Sequence, residues 1–229
     1  MKTRILAIIP VKDLNHTKSR LRPVLTLAER QALTLHILSG TIQTLKASDK
    51  VQCILVLTPD DRVLSFVKGL GVMGLKDDGR GLNQALRQAT RWAIDHDFEA
   101  ILILPCDIPF LDSEDIKTIM GMGVEGERVV VIVPNEGKNG TNALFVKPPG
   151  ILRYSFGIDS FTRHQEHAFA QHFKVKVYSS LSIGFDLDDP EQYRFLVGEQ
   201  HFFEKVNLNE VKTRYIDSNS WNSPYPAGR

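Results

Sequence analysis

Seven short apolar runs punctuate the chain. Between most of them apolar residues recur every three or four positions, the period of a helix. The first run, residues 4–10, is nearly continuous and stops at Pro10, as expected of a strand buried on both faces. Val51–Leu57, Val72–Leu75, Ala100–Leu104, Val129–Val133, Ala143–Val146 and Val175–Tyr178 are read as further strands. Thr26 opens Thr-Leu-Ala-Glu, a capping box with Glu29 reaching back. Its helix runs to about Lys46, with Leu33, Ile37, Leu38, Ile42 and Leu45 apolar. Val63, Leu64 and Val67 mark a short helix, and Leu82, Ala85, Leu86, Ala89 and Ala93 share one face of another. Asp112 and Ser113 are candidate caps for a helix through Met120, and Ser160 starts one through His172. Asp189 caps the last helix, and Pro190 occupies its first turn, where a missing N–H costs nothing.

Strands alternate with helices, which predicts an α/β fold with a mainly parallel sheet covered on both faces. Right-handed crossovers then bring strand carboxyl ends to one rim, where open α/β sheets bind ligands. The 229 residues are read as one domain over 1–197 followed by a loosely packed or disordered tail, 198–229. A net charge of +1 creates no global field for nucleic acid or an anionic membrane, so any attraction for anions must be local. The apolar run before Pro10 is too short for a signal-peptide core or a membrane span. Two cysteines, Cys53 and Cys106, are too few for a disulfide framework or zinc site and fit a reducing cytoplasm. Cys53 is expected in the core; Cys106 is read as small packing with some redox sensitivity.

Four constellations carry the candidate chemistry. Lys12, Lys18, Arg20 and Arg22 crowd the loop after the first strand. Such cations repel unless an anion sits among them, and a triphosphate meets that need; a solvated basic loop is the competing reading. Asp107 ends the fourth strand, and Asp186 and Asp188 stand two apart in Gly-Phe-Asp-Leu-Asp-Asp-Pro. Residues i and i+2 of an extended segment point the same way, so these carboxylates can converge on a hard cation such as Mg2+. Strand-end turns and caps compete for each aspartate singly, but the set together favours metal. Gly140-Thr141-Asn142 and Phe156-Gly157 with Ser160 offer a close backbone approach, two hydroxyls and a helix N-terminus to an anion. A turn plus an ordinary cap is the alternative. Asp77 to Asn83 forms a polar turn that could hold a nucleobase, with a plain loop as its rival. His164 and His167, three apart, are read as helix surface or substrate-side lining.

With those residues collected, the chain resembles the 2-phospho-L-lactate guanylyltransferase family of coenzyme F-420 biosynthesis, whose bacterial branch includes phosphoenolpyruvate guanylyltransferases. Ile-Pro-Val-Lys with Lys-Ser-Arg-Leu, Gly-Leu-Asn-Gln-Ala-Leu, Leu-Pro-Cys-Asp-Ile-Pro, Gly-Thr-Asn-Ala-Leu, Phe-Gly with Ser-Phe, and Asp-Leu-Asp-Asp-Pro carry the resemblance, in order, across about residues 5–197. It implies a Rossmann-like three-layer α/β/α nucleotidyltransferase of glycosyltransferase-A type. It also implies transfer of GMP from GTP to the phosphate of phosphoenolpyruvate or 2-phospho-L-lactate, with release of pyrophosphate. Asp107, Asp186 and Asp188 would hold Mg2+. Asp107, Lys18 and Arg20 would be catalytic, with Lys12, Asp78, Leu82 and Asn83 on the nucleotide. Thr141, Gly157 and Ser160 would grip the acceptor phosphate. Members of the wider superfamily use a Gly-rich first loop; here Lys-Asp-Leu-Asn-His-Thr-Lys stands instead. A downstream deazaflavin transferase and a homodimer are the partner expectations. Another acceptor (a sugar phosphate, molybdopterin or 3-phosphoglycerate) and a non-catalytic nucleotide-binding role are the alternatives.

Overall fold

The computed structural model describes residues 3–198. The tail anticipated beyond Gly198 lies outside the described residues.

The chain runs β1 (Ile5–Pro10), α1 (Leu27–Ala47), β2 (Cys53–Thr58), α2 (Asp61–Gly69), β3 (Met73–Lys76), α3 (Leu82–Asp95), β4 (Ala100–Ile103) and α4 (Ser113–Val124). It continues through β5 (Val129–Pro134), β6 (Thr141–Lys147), α5 (Ser160–Ala170), β7 (Lys174–Val177), α6 (Leu181–Gly184) and α7 (Pro190–Gly198). The strands form one sheet in the order β3-β2-β1-β4-β6-β5-β7. All neighbours pair in parallel except β6, which runs antiparallel to both β4 and β5.

The continuous apolar runs are explained by burial on both sides. Ile5, Ala7 and Ile9 of β1 join α1, α2 and α4 in one core, while Leu6 and Ile8 join α3 and Ala168 of α5 in the other. β4, β5 and β6 divide their residues the same way, at the period of two that a strand imposes. Phe145, wholly buried on β6, lies so close to α4 that a Cβ on Gly123 would overlap its ring. Truncating Phe145 to alanine would cost about 3–5 kcal/mol. Lysines sit on both edge strands, Lys76 on β3 and Lys174 and Lys176 on β7, and discourage edge-to-edge pairing.

Two features of the fold position the site. Because β6 is reversed, its first residue, Thr141, stands at the rim reached by the carboxyl ends of the parallel strands. After β6 the chain must return to that rim before α5 begins, and it does so against α3. Leu152 and Tyr154 are buried in the second core, and Tyr154 Oη lies 2.7 Å from Thr90 Oγ1.

Element ends differ modestly from expectation. β2 begins at Cys53 rather than Val51, α4 continues to Val124, α5 ends at Ala170, and β6 starts at Thr141. α6 and a 3-10 turn at Ser19–Leu21 were not anticipated. Four and three residues are too few to carry a helical period.

Candidate active site

Asp107 follows β4, and its main-chain carbonyl accepts the N–H of Leu187 at 2.8 Å. Leu187 is wholly buried in the first core. With that side chain turned inward, its neighbours Asp186 and Asp188 turn outward together. The next residue, Asp189, has a different task. Its carboxylate accepts the N–H groups of Glu191 and Gln192, and the Gln192 amide oxygen accepts those of Asp188 and Asp189. This reciprocal capping box fixes the start of α7, and with it the direction of Asp188.

Burial pushes the half-buried Asp107 carboxyl up to about 6; Lys18 opposes the rise, Asp188 and Asp186 add to it, and Lys12 opposes it. The other four charged residues predicted to share this site therefore all act on Asp107. Asp186 is raised as well, by burial and then by Asp188, against a hydrogen bond from Asn142. Among the described residues no three His, Cys, Asp or Glu side chains are grouped closely enough to hold a metal ion unaided.

The basic loop is tied down at both ends. Lys18 takes the left-handed conformation (φ 42°) and heads the 3-10 turn. Its Nζ donates to the Leu187 carbonyl at 2.9 Å, and Arg20 Nη1 lies 3.5 Å from Asp188 Oδ2. Arg20 and Lys12 are otherwise exposed to the rim. Asp60, just after β2, accepts the Leu14 N–H at 2.9 Å and pairs with Arg62 at 2.6 Å. Burial alone would raise the Asp60 carboxyl; the hydrogen bonds from Arg62 and Leu14 reverse this and hold it low. Thr17 is pinned to α1 through Thr34 Oγ1 at 2.7 Å and Arg30 Nη1 at 2.6 Å. Asp60, Arg30 and Thr34 thus shape the loop, although the sequence reading attached no role to them.

On the other side of Asp186, Asn142 donates to the Ile183 carbonyl at 2.8 Å and so links β6 to α6. Its neighbour Thr141 places Oγ1 2.9 Å from His164 Nδ1. His164 Nε2 accepts the Ser155 N–H at 3.0 Å. Its ring is wholly buried, which rules out the helix-surface alternative for His164. His167 is half-buried, its Nδ1 3.0 Å from the Arg153 carbonyl. Ser160 is the first residue of α5 and is also buried. Gly157 adopts φ 125°, a conformation that L side chains resist.

The turn after β3 is joined to the segment before α5. Asn83 donates to the Phe156 carbonyl at 3.0 Å and accepts the Phe156 N–H at 2.8 Å. Its amide is a strut holding the Phe156-Gly157 loop, not a free group at the rim. Leu82 packs against the second core. Asp78 is exposed and faces Arg80 Nε at 3.7 Å. Cys106 donates to the Thr34 carbonyl at 3.6 Å, and burial pushes its thiol up to about 12. A thiol held neutral is inert, so the redox sensitivity anticipated for Cys106 has no support.

The rim therefore offers oxygen donors beside a basic loop, and two buried hydroxyls next to a helix N-terminus. Carboxyls held up by burial and by neighbouring carboxylates, as Asp107 and Asp186 are, suit a divalent cation, which relieves the same repulsion. Mg2+ commonly takes one or two protein carboxylates and completes its shell with substrate phosphates and water. A rim whose carboxylates do not form a complete protein cage fits that habit.

A family model described as guanylyl transferase CofC-like matches residues 5–205. The phosphoenolpyruvate guanylyltransferase of Rubrobacter xylanophilus is 38% identical over 187 residues, 82% of this chain and 90% of that protein. The 2-phospho-L-lactate guanylyltransferase of Methanocaldococcus infernus is 32% identical over 88% of this chain and 91% of its own length. The 3-phospho-D-glycerate guanylyltransferase of Colwellia psychrerythraea is 31% identical over 86% and 91%. A solved nucleotidyl transferase from Methanothermobacter thermautotrophicus superposes with a TM-score of 0.63 at 15% identity, covering 89% of this chain and 99% of that one. That likeness bears on the fold alone: a nucleotidyltransferase sheet.

Proposed function

We propose, because this chain belongs to the CofC-like guanylyl transferase family, that it transfers GMP from GTP to the phosphate of a small phospho-acid and releases pyrophosphate. Phosphoenolpyruvate is the first choice of acceptor and 2-phospho-L-lactate the second, following the names of the relatives. 3-Phospho-D-glycerate is the alternative, carried by the Colwellia relative. The product would enter coenzyme F-420 biosynthesis in the cytoplasm, where a deazaflavin-transferring enzyme consumes it. No described helix is long and apolar enough to cross a membrane.

The observation that carries this reading is the gathering of Lys12, Lys18, Asp186 and Asp188 about Asp107 at one rim, joined by the Leu187 backbone. In the reaction an oxygen of the acceptor phosphate forms a bond to the α-phosphorus of GTP. The bond from that phosphorus to the bridging oxygen breaks, and its electron pair leaves with pyrophosphate. A phosphate dianion is already a nucleophile, so no side chain need remove a proton. The difficulty is repulsion between anions, and the chain's residues answer it by position and charge. Asp107, Asp186 and Asp188 would hold Mg2+, which when bound offsets the negative charge of the reacting phosphates. Lys12, Lys18 and Arg20 line the side toward the departing pyrophosphate. Lys18, released from the Leu187 carbonyl, and Arg20, released from Asp188, are free to contact phosphate oxygens. Thr141, Ser160 and the amides after Gly157 hold the acceptor phosphate. Asp78 stands nearest the base, while Leu82 and Asn83 support that turn and the acceptor loop from beneath.

The test is pyrophosphate release by purified protein with GTP, Mg2+ and each of the three phospho-acids in turn, with the deazaflavin transferase present to draw off product. Release with one acid supports the reading and identifies the acceptor. No release with any of them, from folded protein that binds GTP, contradicts it.

A further inference from the structure

The Thr141–His164 pair has an internal logic that fixes a proton. A backbone N–H can only donate, so the bond from Ser155 N to His164 Nε2 at 3.0 Å requires a lone pair on Nε2. A neutral imidazole carries one N–H, which must then sit on Nδ1. Nδ1 therefore donates to Thr141 Oγ1 across the 2.9 Å contact. The reverse assignment, with Thr141 donating, would leave both ring nitrogens accepting and the imidazole bearing a negative charge.

A hydroxyl has one hydrogen and two lone pairs. With a lone pair of Thr141 taken by His164, its hydrogen must point elsewhere, and Thr141 Oγ1 has no second partner among the described residues. The ring is held neutral: burial first, then the nearby His167, lowers His164 to about 4. Phe156 covers it edge-on, centroids 4.8 Å apart. A protonated ring would set Nε2–H against Ser155 N–H.

We infer that His164 is a positioning residue, which fixes the Thr141 hydroxyl as a donor and thereby selects an acceptor-only, anionic group on the second substrate. This rests on the proposed role of Thr141 at the acceptor phosphate. His164 touches no substrate itself and acts through Thr141; its bond from Ser155 serves to fix the ring's tautomer. A ligand offering an N–H or ammonium at this point would meet a hydroxyl already turned outward as a donor.

The first test needs no turnover. Nitrogen-15 NMR of the histidine rings in the full chain without substrate should show His164 neutral with its proton on Nδ1. A proton on Nε2, or a charged ring at neutral pH, overturns the inference whatever the enzyme's substrate. The second test is kinetic. His164→Phe should raise the acceptor KM about five- to tenfold, the size of one neutral hydrogen bond. The GTP KM should hold within about twofold, a shift of under 0.5 kcal/mol. His164→Asn, whose amide nitrogen can stand where Nδ1 stood, should recover most of the loss. Equal rises in both KM values, or no recovery with asparagine, overturns it. If His164→Phe does not fold, Thr141→Val is compared with Thr141→Val/His164→Asn; once the hydroxyl is gone, changing His164 should leave the acceptor KM unmoved, and a further rise overturns the inference. If the tautomer is as stated but no phospho-acid is turned over, the proposed reaction is at fault and not the proton assignment.

Discussion

Leu187 joins Asp107 and Lys18: its N–H is held by the Asp107 carbonyl at 2.8 Å and its carbonyl by Lys18 Nζ at 2.9 Å. One buried leucine backbone thus links the end of β4, the acidic segment before α7 and the basic loop after β1. Asp186 and Asp188 flank it, so the main chain sets their positions, and Asn142 and Arg20 meet their carboxylates there. If this joint organises the reaction, removing charge from its carboxylates should stop catalysis without unfolding the protein. Asp107→Asn and Asp188→Asn should each lower turnover about 100-fold or more, with circular dichroism unchanged. Near-normal turnover in either variant would remove it from the cation site.

Asp107 also makes metal-free stability depend on pH. Its carboxyl is raised to about 6 in the folded protein against 3.8 when unperturbed, so between these values the folded state holds a proton that the unfolded state has lost. Its contribution is therefore favourable below about 4 and is lost as pH rises to about 6. In EDTA, the difference in thermal stability between the wild type and Asp107→Asn should follow this slope. Added Mg2+ should raise the melting temperature of the wild type at neutral pH and leave Asp107→Asn unmoved.

His164 gives the opposite slope. Its folded value, about 4, lies below the unperturbed 6.5, so the unfolded chain takes up the proton first as pH falls. Stability is full above about 6.5 and is lost toward about 4, by on the order of 2–3 kcal/mol. Denaturant titrations of Asp107→Asn, in which the competing carboxyl is gone, should expose this loss. Adding His164→Asn to Asp107→Asn should remove the part of the loss that His164 contributes.

Asn83→Ala should weaken the acceptor loop without touching GTP. The substitution leaves the Phe156 N–H and carbonyl without their partners, at a cost of about 1–3 kcal/mol. Urea unfolding should register that loss, and the acceptor KM should rise more than the GTP KM. A change confined to the GTP KM would return Asn83 to the nucleotide.

Ser160→Ala carries the same asymmetry for a simpler reason. The substitution removes one hydroxyl and keeps the rest of the side chain in place, so stability should fall by no more than about 1 kcal/mol. The acceptor KM should rise by about tenfold, as for one lost hydrogen bond to a charged group. The reverse pattern of KM values would move the acceptor pocket elsewhere.

Much of the sheet was legible because its strands are buried on both faces and its helices on one. The runs in β1, β4 and β5 and the stripe Leu82-Ala85-Leu86-Ala89-Ala93 record that directly. The Thr26–Glu29 and Asp189–Gln192 boxes are local devices and leave local signatures. What stayed hidden depends on contacts between distant segments. No pattern within β6 reports its reversal, yet that reversal lifts Thr141 to the rim. His164 reads as helix surface or substrate-side lining until Ser155 and Thr141 close on its two nitrogens. Asn83 lies 73 positions from Phe156, and nothing in either neighbourhood announces the pair.

The most direct measurement follows the α-phosphorus. The protein is given GTP labelled at that atom, Mg2+ and phosphoenolpyruvate, and the labelled species are separated. The label is predicted to appear in GMP joined through a diphosphate bridge to the phospho-acid, in step with unlabelled pyrophosphate. Label left in GTP, or recovered as free GMP or GDP with no bridged product under any of the three phospho-acids, would contradict guanylyl transfer at this rim.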